Sequence, residues 1–113
     1  MATDCLFCRI IRGEIPATIV AEDEHCVAFR DIGPQAPTHI LVVPRQHVST
    51  LDEVTDALLI GRVMAMAAEM ARKENVVDSG YRTVINTNAG AGQSVFHLHA
   101  HVLGGRKFTW PPG

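Results

Sequence analysis

Three histidines at alternate positions, His97, His99 and His101, are the residues of this chain best suited to do chemistry. Leu98, Ala100 and Val102 lie between them, so in an extended strand the three imidazoles share one face, about 6.5 Å apart, and the apolar side chains take the other. A neutral imidazole is a nucleophile near neutral pH because its ordinary pKa is about 6.5. Attack on a phosphate ester, anhydride or amidate makes a P–N bond labile enough for water to finish a two-step displacement. His99, flanked on both sides, is the expected nucleophile, with its neighbours donating to phosphate oxygens or protonating the leaving group. Just upstream, Gly90, Ala91, Gly92, Gln93 and Ser94 are small or polar, which would let backbone N–H groups approach an anion.

Two other readings compete. Alternating histidines can be the solvated face of an edge strand. They can also hold zinc, although adjacent same-face rings do not easily converge on one tetrahedral ion.

A second cluster begins at Cys5 and Cys8, a CxxC at the start of the first expected helix. The spacing suits metal ligation but supplies half of a tetrahedral set, and His47 and His97 are the candidates to complete it as Cys₂His₂. The alternative is two reduced cysteines on a small helix. Redox chemistry of the thioredoxin kind would need a preceding strand, and only four residues precede Cys5. Cys26 reads as a buried hydrophobe, and three cysteines are too few for a secreted disulfide framework.

The elements that must position these groups follow from periodicity. Leu6, Phe7, Ile10 and Ile11 predict a short amphipathic helix over residues 4–12, capped by Thr3 or Asp4 and stopped by Gly13. Strands are expected at 18–22 and 26–31 around the turn Asp23-Glu24-His25, and at 38–43, where both faces are mostly apolar as near a sheet centre. Leu59, Val63, Met66 and Met70 recur at helical spacing and predict the main helix over 55–75. Its methionines read as core packing rather than a cofactor stripe, and Gly61 within it as a point of close packing. After a turn at Asp78-Ser79-Gly80, strands are expected at 81–87 and 96–103. The expectation is an α+β fold: a five-stranded, mostly antiparallel sheet with one long and one short helix, the long one covering a face.

With 113 residues, 47% of them apolar, the chain fits one domain, 1–113, with an irregular tail from 106 to 113. Ten basic against twelve acidic residues leave no field of the kind that neutralises a nucleic-acid backbone. No apolar run approaches the roughly 20 residues of a membrane span, and the N-terminus has no signal-peptide pattern. A cytoplasmic protein with no nucleic-acid or membrane partner is expected.

The segment HLHAHVL fits the His-φ-His-φ-His-φ-φ signature, φ being apolar, and resembles the histidine triad superfamily. The likeness runs through RDIGPQAPTHILVVPRQH, AGAGQSVFHLHAHVLGG and the terminal WPPG, and is nearest to the Hint branch of purine nucleoside phosphoramidases. The resemblance implies a homodimer whose sheets join, binding purine nucleoside monophosphates and cleaving their phosphoramidates or acyl-adenylates, with release of AMP or GMP. It implies that His99 is transiently nucleotidylated and that the His97 carbonyl orients it. His101 would contact the phosphate, and His39, on residues alone a core histidine, would sit behind the triad. Ser94, Gln93 and the Gly92 backbone would hold phosphate or leaving-group atoms. Asn86 would lie beside the phosphate, and Asp31, otherwise an ordinary turn Asp, would take the ribose hydroxyls. Leu6, Phe7, Ile10, Phe29 and Ile32, each taken singly plain core, would wall the base, with Trp110 also at the substrate. No cofactor is required for such chemistry, although some members bind a structural zinc through a set like Cys5, Cys8, His47 and His97. The dinucleoside polyphosphate hydrolases of the same superfamily are the alternative enzyme, and a non-catalytic nucleotide- or protein-binding module the alternative class.

Overall fold

The computed structural model describes residues 5–113. Its sheet contains β1 (Ile19–Glu22), β2 (Cys26–Arg30), β3 (Thr38–Pro44), β4 (Tyr81–Val84) and β5 (Ala100–Gly104), in the order β1-β2-β3-β5-β4 with every pairing antiparallel. Two helices accompany it, α1 (Leu6–Ile11) and α2 (Ala57–Lys73). This is the expected α+β architecture. The central β3 is buried along its whole length, as an apolar strand between two partners must be.

Alternation along the strands sorts the core into two layers. Ala28, Ile40, Val42, Ala100 and Val102 meet Leu59, Val63, Met66 and Met70 of α2. Val27, Phe29, Leu41 and Val43 point the other way and gather around Phe7 of α1. Met66 and Met70 are core, whereas Met64 faces solvent. Gly61 departs from expectation: a Cβ added there would meet nothing within 4 Å, so it marks no close packing.

The caps refine the helix bounds. Thr3 and Asp4, the expected caps of the first helix, lie outside the described residues; Cys5 occupies the cap, its Sγ accepting the Cys8 N–H at 3.4 Å. Gly13 ends α1 as expected, at φ 77°, with the Gly13 N–H donating to Ile10 and the Glu14 N–H to Arg9, the Schellman pattern. Asp56 caps α2 by accepting the Leu58 N–H at 3.0 Å, which starts the helix two residues later than the periodicity suggests.

The largest correction concerns the histidine row. The expected strand 96–103 is regular only from Ala100, and the expected 81–87 only to Val84. The β3–β5 ladder stops at Val42 paired with Ala100 because β3 ends at Pro44, which has no N–H to offer. The Pro44 carbonyl is taken by the His97 ring, and the Leu98 N–H donates instead to Val48 at 2.7 Å. The segment nevertheless keeps its alternation, with Leu98 packed in the α2 layer beside Ala100 and Val102. Among the described residues no helix is long and apolar enough to cross a membrane.

Candidate active site

The hydrogen bonds around His39, His97, His99 and His101 assign their tautomers. A carbonyl can only accept, so the contact of His99 Nδ1 with the His97 carbonyl at 2.8 Å is an N–H donation, and the Nε2 of neutral His99 keeps a free lone pair. In His97 the roles reverse. Its Nε2–H donates to the Pro44 carbonyl at 2.8 Å, leaving the lone pair on Nδ1. His39 Nδ1 accepts the Gln35 backbone N–H at 3.0 Å, so its proton sits on Nε2. That proton points at His101 Nδ1, 2.9 Å away, with Asp31 Oδ2 at 3.5 Å. His101 therefore accepts at Nδ1 and carries its own proton on Nε2.

Burial keeps these rings neutral. Desolvation pushes His101 down to about 4, with His99 and His39 adding like-charge opposition, and pushes His97 down to about 4 as well. His99 and His39 are also lowered from the usual 6.5, mainly by burial, opposed for His99 by its bond to the His97 carbonyl and then by Asp31, and for His39 by Asp31. A neutral ring with an exposed lone pair is what a nucleophilic histidine requires.

His99 and His101 line a cleft of about 340 Å³. The expected Leu6, Phe7, Ile10, Phe29, Asp31, Ile32 and Ser94 line the same cleft, brought from α1, the end of β2 and the glycine loop. Phe7 stands edge-on to His99 at 5.0 Å and to Phe29 at 5.3 Å, so one aromatic ring joins the apolar half of the cleft to the histidine half. Asp31 accepts the Gly33 N–H through Oδ1, which aims its carboxylate from the loop after β2. Leu41 and Val95 also line the cleft without having been singled out from sequence. Leu41 carries a signal: it is two residues from His39 on β3 and opposite His101 in register, hence on the same face. Gln35, whose backbone sets the His39 tautomer, carried none.

Other expected residues are placed differently. The glycine loop is a 3₁₀ turn, Ala89–Ala91, in which three N–H groups are used internally: Ala91 and Gln93 donate to Asn88, and Gly92 to Ala89. It delivers Ser94 to the cleft, with the amides of Ala91, Gly92 and Gln93 used within its own turn. Gln93 is a buried brace, its Oε1 accepting from the Asn88 N–H and its Nε2 donating to the carbonyls of Ser49 and Val95. Asn86 lines a neighbouring hollow together with His39 and with His101, which also lines the cleft. Trp110 is 83% exposed and is not part of the cleft wall.

The metal candidates do converge. The Cys5 and Cys8 sulfurs and the Nδ1 atoms of His47 and His97 lie within 4.8 Å of one another. His97 Nδ1 is 3.3 Å from Cys5 Sγ, 3.5 Å from Cys8 Sγ and 3.2 Å from His47 Nδ1. Tetrahedral zinc with bonds of about 2.3 Å to sulfur and about 2.05 Å to nitrogen separates its ligands by about 3.3 Å (nitrogen to nitrogen) to about 3.8 Å (sulfur to sulfur), with sulfur to nitrogen about 3.6 Å. The donor set fits zinc. Burial and the neighbouring Cys5 sulfur raise the Cys8 thiol, the state a bound cation would reverse. The three triad rings do not share one ion: His97 turns its lone pair to the cysteines, and His99 belongs to no cluster of metal-type donors among the described residues.

A buried histidine array with assigned tautomers beside an apolar cleft defines a histidine triad site, and the chain belongs to the HIT domain family, whose pattern matches residues 12–108. Its fold matches a HIT family hydrolase from Legionella pneumophila with TM-score 0.95 and 51% identity, covering 97% of this chain and 100% of that one. In sequence it is 46% identical over 108 residues to a protein of Escherichia coli named purine nucleoside phosphoramidase, covering 94% of this chain and 91% of the other. A zinc-bound histidine triad family protein from Mycobacterium smegmatis matches with TM-score 0.83 and 30% identity, covering 100% of this chain and 82% of that one.

Proposed function

We propose that this HIT family hydrolase is a purine nucleoside phosphoramidase and acyl-adenylate hydrolase working through a nucleotidyl-His99 intermediate. The observation that carries the reading is the tautomer of His99: Nδ1–H is committed to the His97 carbonyl, so Nε2 is the only free basic atom of a ring that lines the cleft. Nε2 attacks the α-phosphorus and the P–N or P–O bond to the leaving group breaks, an amine departing with a proton supplied by solvent and a carboxylate departing as the anion. Water then attacks phosphorus, the electron pair of the P–N bond returns to Nε2, and nucleoside monophosphate leaves with one proton released. His101 Nε2–H is the donor to a phosphate oxygen, held in that tautomer by His39. Asp31 takes the ribose hydroxyls, and Phe7, Phe29 and Ile32 the base.

The same reading places a structural zinc at Cys5, Cys8, His47 and His97. Four protein ligands leave no open position, so the ion supplies a cross-link and no chemistry. It also pairs two copies through the open edge of β4, extending the sheet. Light scattering of the purified protein tests that pairing, a monomer mass refuting it.

The test of the function is turnover of a fluorogenic adenosine phosphoramidate. In His99→Asn turnover is expected to fall by at least about 10³-fold while AMP binding by calorimetry survives. A trapped AMP adduct mapped to His99 by mass spectrometry is the direct sign of the intermediate. Full activity of His99→Asn defeats the reading, and faster turnover of diadenosine triphosphate than of any phosphoramidate moves the chain to the polyphosphate hydrolases.

A further inference from the structure

His97 belongs to two networks, the metal-type donor set and the hydrogen-bonded histidine row. Its ring is fully buried, with Nε2–H tied to Pro44 and Nδ1 facing the two sulfurs and His47, while its carbonyl accepts the Nδ1–H of His99. One residue thus carries both a metal-type donor and the group that sets the nucleophile's tautomer and ring orientation.

The cysteines make a parallel connection. Cys5 and Cys8 bracket Phe7, and Phe7 touches both His99 and Phe29. α1 has six residues, too few to be helical by propensity alone, so its place on the sheet depends on these contacts. Its Leu6, Phe7 and Ile10 form one wall of the cleft. Without an ion, its cysteine anchor to the body of the protein consists of thiol hydrogen bonds to two imidazoles, weak ones for sulfur.

We infer that Cys5, Cys8 and His47 are positioning residues for the nucleotide site: metal held between them and His97 fixes the cleft wall through α1 and the nucleophile through the His97 carbonyl. Metal occupancy then sets nucleotide affinity as well as stability. This rests on the nucleotide-hydrolase reading and on the zinc set, and it goes beyond both in coupling them. Supporting side chains that orient site groups commonly act over such one-residue links, at a cost of about 10- to 100-fold when removed.

The test uses the full chain, zinc-loaded and then stripped with a chelator, with helix content followed by circular dichroism. Stripping is expected to weaken AMP binding by at least about tenfold in calorimetry. It should also broaden or shift the His99 Nδ1–H signal in nitrogen-15 imidazole spectra, and zinc should restore both. His47 lies outside α1 and the cleft wall, so its variants separate metal from contact. His47→Ala should lose zinc and AMP affinity together, and His47→Cys, which keeps four ligands, should retain both.

The inference is overturned if folded, metal-free protein binds AMP as tightly as the loaded form with an unmoved His99 signal, or if the purified chain takes up no stoichiometric zinc. It is equally overturned if His47→Cys holds zinc but binds AMP as weakly as His47→Ala. Metal-dependent AMP binding without phosphoramidate turnover would instead remove the proposed reaction and leave the coupling standing.

Discussion

Acid should destabilise this protein through His101 in a way that a single substitution can isolate. In the fold the His101 pKa is pushed from 6.5 to about 4 by burial and by its histidine neighbours. Between these values the unfolded chain holds a proton that the folded chain refuses, so stability falls as pH drops from above 6.5 through about 4. At about 1.4 kcal/mol per pH unit of separation the full effect is about 3 kcal/mol, of which about 2 kcal/mol has been lost by pH 4.5. The comparison is wild type against His101→Gln, which cannot titrate, by urea unfolding at pH 7 and pH 4.5. Wild type should lose about 2 kcal/mol more than the variant between the two pH values, a difference of about 1 M or more in urea midpoint for a chain of this size. Acid-sensitive groups away from His101 are common to both proteins and cancel, leaving the difference to His101 together with His39 and His99, whose charges oppose its own. Equal losses in the two would mean that His101 titrates near its ordinary value, and the burial argument for a neutral row would fail there.

Two glycines give opposite expectations for the scaffold. Gly61 lies inside α2 with open space where a Cβ would go, so Gly61→Ala should stabilise by about 1 kcal/mol and raise the thermal midpoint with unchanged turnover. Gly104, at the end of β5, would place a Cβ 2.8 Å from Val76 Cβ, so Gly104→Ala should cost about 1–3 kcal/mol. Val76→Ala in the same chain should recover part of that loss, and no recovery would point to backbone conformation rather than overlap.

Much of the architecture was legible because it rests on local patterning. The i, i+4, i+7, i+11 recurrence from Leu59 to Met70 defines the face that α2 buries, and the all-apolar run 38–43 marks the central strand. Gly13 ends α1 because the pattern there needs a left-handed residue. The alternation of His97, His99 and His101 with Leu98, Ala100 and Val102 likewise survives beyond the regular strand, since period-2 sorting needs only an extended chain with one apolar side.

What residue spacing could not divide was the labour among identical side chains. On sequence grounds the three imidazoles share one face, with His99 set apart only as the central ring, and the glycine loop reads as an amide cradle. Their tautomers and partners separate only when distant segments arrive. Pro44 ends the ladder and takes the His97 ring, Cys5 and Cys8 from α1 face its other nitrogen, and Gln35 pins His39. Three of the loop's amides are used within its own turn and Gln93 becomes a brace, while Ser94 reaches the cleft. Chain order therefore determined which residues share a face and which chemistry they can perform. Tertiary structure decided which ring nitrogen keeps its proton, because a tautomer is set by whichever donor or acceptor the fold brings within about 3 Å of it.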